Sequence, residues 1–179
     1  MKSKLKKEAS ISFMINRPKI PGMIKKEAKR TNSIIYGSRA MNRQMRYGFM
    51  ERKANDFDVM TRHPKKTANI MQRKFDKEIT NGVDDFYVKE AEHKGTFKVM
   101  YDGFDGKRRT KDDFSIVDYS SIRRVKTRKL SGNRYETMKS IEKGKRKTLK
   151  DPESKYRHKK DREDLKLIRA NRSLRRILR

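Results

Sequence analysis

The chain has 179 residues, of which 41% are charged and 32% hydrophobic, and its formal net charge is +28. The absence of cysteine excludes disulfides and thiolate metal sites, and the basic balance favours polyanions such as nucleic acid as partners. No apolar run reaches the ~18–20 residues of a membrane span, and no secretory signal follows the basic first residues. We therefore expect a protein without membrane contact, in the cytoplasm or, for a viral protein, inside the host cell or the virion.

The N-terminal part of the chain predicts one short strand between helices. Residues 1–17 are basic and irregular, which predicts an arm, and residues 23–30 predict a leading helix. Residues 33–36 predict a short buried strand that Gly37 ends, and residues 38–47 predict a helix with an apolar stripe. This order begins an alternating pattern of helices and strands.

The middle of the chain continues that pattern. Residues 56–60 predict a strand, residues 65–79 a helix with apolar residues in register, and Phe86 starts a further strand. Residues 97–101 and 113–119 predict the two arms of a hairpin, because apolar side chains alternate along them and glycines lie between them. Strands therefore outnumber helices in this part of the chain.

After about Arg123 the chain becomes denser in charge and poorer in apolar residues. Residues 134–149 and 159–178 predict two helices. Five apolar residues could dock the second of them on the core: Leu165, Ile168, Leu174, Ile177 and Leu178.

The whole order predicts an α/β (α+β) fold with a small mixed β-sheet flanked by helices and a basic helical C-terminal region. We expect three parts: a basic arm with its leading helix (1–30), a core (31–130) and basic C-terminal helices (131–179).

Three carboxylates stand out on this framework. Asp56 and Asp58 are two residues apart, so in a strand they point to one face, while Phe57 points to the other. Asp118 lies inside an apolar strand, where a charge is costly unless it is paired or bound to a metal. Carboxylates on neighbouring strands would hold two Mg²⁺ (or Mn²⁺) ions for nucleotidyl transfer, and Asp118 would also activate the attacking hydroxyl.

A glycine turn precedes these carboxylates. Gly37 and Ser38 end a strand and open a helix, which leaves backbone N–H groups free to bind phosphate. The Ser38 hydroxyl adds a donor, and Arg39 or Arg43 could reach a phosphate. The turn therefore predicts a nucleotide-binding element.

The ordered set of Gly37-Ser38, Asp56-x-Asp58 and Asp118 resembles the nucleotidyltransferase superfamily of the DNA polymerase β type. Within it, the chain is similar to the minimal abortive-infection-toxin-like and viral nucleotidyltransferases, which carry a Lys-Asp…Asp-Leu segment like that of Lys160 to Leu165. The resemblance covers roughly residues 31–168. It implies a mixed-sheet nucleotidyltransferase fold, an NTP substrate, Mg²⁺ dependence and a nucleotide site that includes Lys160. The Lys-rich composition without cysteine or tryptophan is compatible with a phage or viral origin.

Basic runs recur along the chain, and together they favour sequence-independent contact with RNA or DNA. The candidate nucleic-acid-binding residues are Arg108, Arg109, Arg123, Arg124, Lys145, Arg146 and Lys147.

Two functions of different classes remain open. One is an Mg²⁺-dependent nucleotidyltransferase that acts on a nucleic-acid acceptor. The other is a non-catalytic basic protein on the same fold, which binds nucleic acid or neutralises genome charge in a virion. A protein partner is left open, since the sequence carries no signal that identifies one.

Overall fold

The computed structural model describes residues 2–177. It contains six α-helices and seven β-strands among these residues. The helices are α1 (Lys2–Asn16), α2 (Ile20–Arg30), α3 (Gly37–Asn42), α4 (Pro64–Glu78), α5 (Met138–Thr148) and α6 (Lys155–Ile177). The strands are β1 (Ile34–Tyr36), β2 (Phe57–Thr61), β3 (Phe86–Glu90), β4 (Phe97–Tyr101), β5 (Phe114–Ser121), β6 (Thr127–Leu130) and β7 (Asn133–Glu136).

All seven strands form one mixed sheet in the order β3-β4-β5-β2-β1-β7-β6. The pairs β2–β5 and β1–β7 are parallel, and the other neighbours are antiparallel. The predicted α/β class with a small mixed sheet is therefore confirmed, as is the predicted hairpin, which is β4 and β5.

One face of the sheet carries the hydrophobic core. Phe57 and Val59 of β2 are buried there with Val117 of β5, and α4 covers them with Met71 and Phe75. The alternation predicted for β2 is confirmed, because Asp58 between these two apolar residues is directed to the opposite face. That opposite face holds the candidate site.

The N-terminal segment differs from the irregular arm that its charge predicts. Residues 2–16 form helix α1, whose inner side buries Phe13 against the ring of Tyr101, with ring centres 3.9 Å apart. Ser12 donates a hydrogen bond to the carbonyl of Ile79 at 2.7 Å, and the Lys6 ammonium pairs with Asp85 at 3.1 Å. The segment is therefore part of the packed fold.

Helix α3 ends earlier than predicted, at Asn42 rather than near Tyr47. The Gln44 and Met45 amides bond to carbonyls three residues back, which tightens the chain out of the α-helix. The Asn42 side chain also donates to the Arg52 carbonyl at 2.6 Å and accepts from the Arg52 amide at 3.2 Å. These bonds tie the end of α3 to the segment that leads into β2.

A second difference is the β6–β7 hairpin, where the sequence predicts no strand and a helix that begins near Arg134. Ser131 and Gly132 both have positive φ, 48° and 77°, as a two-residue hairpin turn requires. β7 pairs in parallel with β1, so this hairpin, which spans the expected boundary at residue 130, extends the main sheet.

The two C-terminal helices are confirmed with shifted ends. Leu165 and Ile168 of α6 are buried as predicted, whereas Ile177 is 75% exposed. Leu178 lies outside the described residues. None of the helices within residues 2–177 is both long and apolar enough to cross a membrane.

Candidate active site

The carboxylates meet where two central strands run side by side. β2 and β5 are parallel neighbours, and their register places Asp58 directly opposite Asp118. Asp56 precedes β2 by one residue. Directly paired residues of adjacent strands share a face, so Asp58 and Asp118 emerge on the same side of the sheet.

Burial and neighbouring charges perturb the carboxyl group of Asp58. Its pKa is raised to about 6, first by burial and then by the negative charges of Asp56 and Asp118. Lys160 and Arg157 of α6 act in the opposite direction. Asp56 and Asp118 therefore lie close enough to Asp58 for their charges to act on its carboxylate.

Asp118 is held by two neighbours. The Lys98 ammonium on β4 lies 3.1 Å from Asp118 Oδ2, and the Ser115 hydroxyl donates to Asp118 Oδ1 at 2.6 Å. Burial acts to lower the pKa of Lys98, but the charges of Asp118, Asp56 and Asp58 raise it above its ordinary value. The negative charges of all three carboxylates therefore act on the Lys98 ammonium.

The donor set has the chemistry that Mg²⁺ prefers, since all three side chains offer carboxylate oxygens. Across residues 2–177, however, no three acidic or histidine side chains are grouped closely enough to enclose a metal ion. Both oxygens of Asp118 have protein partners. Of the three carboxylates, Asp118 is therefore the one held at both of its oxygens.

The glycine turn packs directly on the carboxylates. Gly37 has φ +65°, and a β-carbon built on it would overlap Asp58 Oδ2 and lie 3.1 Å from Asp58 Cγ. Only glycine combines this backbone conformation with so close an approach. The Gly37–Ser38 turn and the Asp56-x-Asp58 segment are therefore in direct contact.

A buried chain of charges links that turn to the C-terminal helices. Arg52 donates to the Ser38 hydroxyl at 2.7 Å, and its Nε lies 3.1 Å from Asp164 of α6. Lys145 of α5 contacts Asp164 at 2.6 Å and Asp161 at 2.7 Å. Asp161 and Asp164 are fully buried. The acidic part of the Lys-Asp…Asp-Leu segment thus holds the helices against the Gly37–Ser38 turn.

The two basic residues predicted to bind nucleotide differ in setting. Lys160 is exposed on α6 and acts electrostatically on Asp58, so it borders the carboxylates. Arg39 donates to the carbonyls of Ala54 at 2.7 Å and Asp56 at 3.3 Å, and it stacks over the Phe57 ring. Arg39 therefore stabilises the segment that leads into β2.

Tyr36 lies beside the carboxylates on β1, opposite Asp58 in the register. Burial and then the Asp58 charge raise the pKa of Tyr36 to about 12. The Ser120 hydroxyl donates to its oxygen at 3.2 Å, and the Arg123 guanidinium packs over its ring. Arg123, predicted to bind nucleic acid, is thus a neighbour of the site.

The other predicted nucleic-acid-binding residues are scattered. Arg108, Arg109 and Arg124 are exposed, as are Arg146 and Lys147 on α5, where Arg146 pairs with Glu142. Lys145 corrects the prediction: it is 7% exposed and holds Asp161 and Asp164, so it is not presented to a polyanion.

Several residues of the site were not predicted. Lys98 alternates with buried Val99, and that period of two could have placed it on the carboxylate face. Arg157 precedes Lys160 by three residues, the spacing of one helix face. Nothing in the sequence marks Arg52 or Ser115, whose roles depend on tertiary contacts.

By sequence, the chain matches no protein-family profile and no curated protein. By structure, it is similar to the Megavirus polyadenylate synthase, with a TM-score of 0.64 and 15% identity. The match covers 85% of this chain but only 30% of the Megavirus enzyme. JHP933 from Helicobacter pylori matches with a TM-score of 0.47 and 15% identity, over 79% of this chain and 58% of that one. The chain therefore has a fold found in a polyadenylate synthase and spans about a third of that enzyme's length.

Proposed function

We propose that this protein is a nucleotidyltransferase that moves a nucleotidyl group from an NTP to a nucleic-acid acceptor. The observation that carries the proposal is the register of β2 and β5, which sets Asp58 opposite Asp118 beside the Gly37–Ser38 turn. The fold shared with a polyadenylate synthase supports the same reaction class.

Asp56 and Asp58, with Asp118, are the residues that would hold Mg²⁺ or Mn²⁺, two ions in the expectation from the sequence. A bound divalent cation would neutralise charge on the triphosphate and activate the attacking hydroxyl. The pKa of Asp58 is raised first by burial and then by the charges of Asp56 and Asp118, and the second cause supports this assignment because a cation relieves the crowding of negative charge.

The chain's own groups then divide the remaining work. Asp118 would accept the proton of the acceptor hydroxyl as the hydroxyl oxygen attacks the α-phosphorus and pyrophosphate leaves, and Lys98 and Ser115 fix the direction of its carboxylate. Lys160 and Arg157 supply positive charge for the triphosphate on the α6 side. Ser38 can still donate its own hydrogen while it accepts from Arg52.

The test is transfer of label. The protein is incubated with each of the four labelled NTPs, with Mg²⁺ or Mn²⁺, and with separate pools of RNA and DNA. We expect label to be added to one acceptor class by wild type and not by Asp56→Ala/Asp58→Ala. The matched control, Glu8→Ala/Glu78→Ala, removes two exposed carboxylates elsewhere and should keep activity. Equal labelling by wild type and the aspartate variant would exclude the proposed site.

The second candidate is a non-catalytic basic protein that binds nucleic acid or packs a virion genome. The net charge of +28 favours it, as does the Lys98 ammonium that already occupies Asp118. Such a protein would bind RNA and DNA with a steep salt dependence and transfer no label. A phage or viral origin and a location in the host cytoplasm or virion stay predictions.

A further inference from the structure

A row of paired side chains crosses five neighbouring strands on the carboxylate face. The register pairs Tyr36 with Asp58, Asp58 with Asp118, Asp118 with Lys98, and Lys98 with Lys89. Because paired residues of adjacent strands point to one face, all five share it. From β1 to β3 the row is therefore tyrosine, two aspartates and two lysines.

The two ends of this row have different chemistry. On the β1 side lie the Gly37–Ser38 turn, packed on Asp58, and Lys160 of α6. On the β3 side, the next two positions of the row after Asp118 are both lysines. Lys98 pairs with Asp118, whereas Lys89 is exposed and forms no ion pair with the acidic residues of segment 2–177. The site is thus asymmetric about its carboxylates.

Lys89 stands opposite Lys98, and like charges directly across a sheet repel, although the ion pair of Lys98 with Asp118 offsets part of this repulsion. The acidic residue next to Lys89 does not relieve the repulsion. Glu90 follows it in the strand and so points to the other face, where it accepts from the Gly95 amide at 3.2 Å. An external anion would offset the repulsion.

A third cation lies beside β3, displaced along the strand from Lys89. Tyr87 lies two residues before Lys89 on β3 and therefore shares its face. The exposed Arg108 guanidinium sits 5.5 Å from the centre of the Tyr87 ring. Its pair with Asp84, at 2.7 Å, is on the surface, where such pairs contribute little. We call Lys98, Lys89 and Arg108 the cationic track.

We propose that the cationic track binds the phosphates of the acceptor's 3′-terminal nucleotides, so that the acceptor crosses β4 and β3 to present its hydroxyl at Asp118. This inference rests on the proposed function. The triphosphate then approaches from the β1 side, where the glycine turn and Lys160 lie. Neighbouring strands are about 4.8 Å apart, which places the backbone of Lys89 about 10 Å from that of Asp118, within reach of the last few nucleotides. The contacts are to phosphate and therefore independent of sequence.

The test exploits the absence of cysteine, since any introduced cysteine is unique. A photo-crosslinker is attached to Lys89→Cys and, as the control, to Lys66→Cys. Lys66 is exposed on α4, which packs on the opposite face of the sheet. Short single-stranded RNA and DNA oligonucleotides, labelled at the 5′ end, are crosslinked in separate arms and the modified nucleotide is mapped.

We expect position 89 to crosslink several-fold more than position 66, and only to the nucleotides nearest the 3′ end. The arm that crosslinks, RNA or DNA, identifies the acceptor class. In titrations, Lys89→Met should reduce the slope of log Kd against log salt by about 1, while Lys66→Met leaves the slope of 3′-end binding unchanged. Equal yields at the two positions, or crosslinks to internal nucleotides, would overturn the track.

The crosslink does not depend on turnover, so it separates the two proposals. If the protein crosslinks at the 3′ end but transfers no label, the cationic track is supported and the proposed enzymatic activity is excluded. If the protein transfers label but crosslinks equally from positions 89 and 66, the enzymatic activity is supported and the cationic track is excluded.

Discussion

The carboxylate of Asp58 fills the space that a β-carbon on Gly37 would need, since such a carbon would overlap Oδ2 and lie 3.1 Å from Cγ. Gly37→Ala must therefore displace Asp58 or change a backbone that has φ +65°. We expect the loss of nucleotidyl transfer and a decrease of about 1–3 kcal/mol in the free energy of unfolding. Denaturant unfolding and the labelling assay measure the two effects.

The control for this substitution is Gly144→Ala. Gly144 is exposed on α5, and a β-carbon there would meet nothing within 4 Å. Alanine in a helix interior is favoured over glycine by about 1 kcal/mol, so this variant should be stabilised and fully active. A Gly37→Ala protein with wild-type stability and activity would contradict the close packing of the turn on Asp58.

The pH dependence of stability should report Asp58. Its pKa is raised from 3.8 to about 6, so between these values the folded chain holds a proton that the unfolded chain has released. Stability from this group is therefore present at low pH and lost as pH rises through that window. Asp58→Asn removes the loss, and we expect the metal-free variant to be more stable than wild type above about pH 6, by up to ~3 kcal/mol.

The measurement is urea unfolding over a pH series in the presence of a chelator. The gain of Asp58→Asn over wild type should disappear as pH falls toward the ordinary pKa of an aspartate. Glu78→Gln, at an exposed carboxylate on α4, should follow the wild-type curve throughout. A gain that is constant with pH would show that Asp58 is not the group responsible.

Sequence reasoning located the carboxylates because it depends on local periodicity. The two-residue spacing of Asp56 and Asp58 predicts a shared face without knowledge of any other strand. That Asp118 stands opposite Asp58 depends on the parallel pairing of β2 with β5, which the sequence indicates only as proximity of strands. The Lys98 contact depends on both pairings, so it appears only in the folded sheet.

The predictions for α1 and for Lys145 were wrong because charged and polar residues obscure the pattern of buried positions in both places. The inner side of α1 includes Lys6, Ser12 and Asn16 beside Phe13, so its apolar stripe is weak although its polar atoms are all satisfied inside the fold. Lys145 belongs to a basic run that predicts contact with nucleic acid. Its burial follows from the packing of α5 against α6, where two aspartates face it.

The packing of α1 makes a clear stability prediction. Phe13 is 1% exposed and stacks on Tyr101, whereas the next residue, Met14, is 68% exposed. Phe13→Ala should lower the free energy of unfolding by about 3–5 kcal/mol, the usual cost of emptying a buried aromatic site. Met14→Ala should change it by less than about 0.5 kcal/mol. If both substitutions change the free energy of unfolding by the same small amount, α1 is an arm that does not pack on the core.

The buried ion network predicts that one lysine among many controls the C-terminal helices. Lys145→Met leaves Asp161 and Asp164 buried without their shared cation, which should cost about 3–5 kcal/mol of unfolding free energy. Lys143→Met removes the same charge from an exposed position on the same helix, and should be neutral within about 0.5 kcal/mol. Asp164 also pairs with Arg52, and Arg52 donates to Ser38 beside the site. In Lys145→Met/Asp161→Asn one of the two buried charges is removed, so we expect part of the lost stability to return and less of the lost activity. If both lysine variants unfold at the same urea concentration, the net charge of the chain, and not this network, determines the stability of the region.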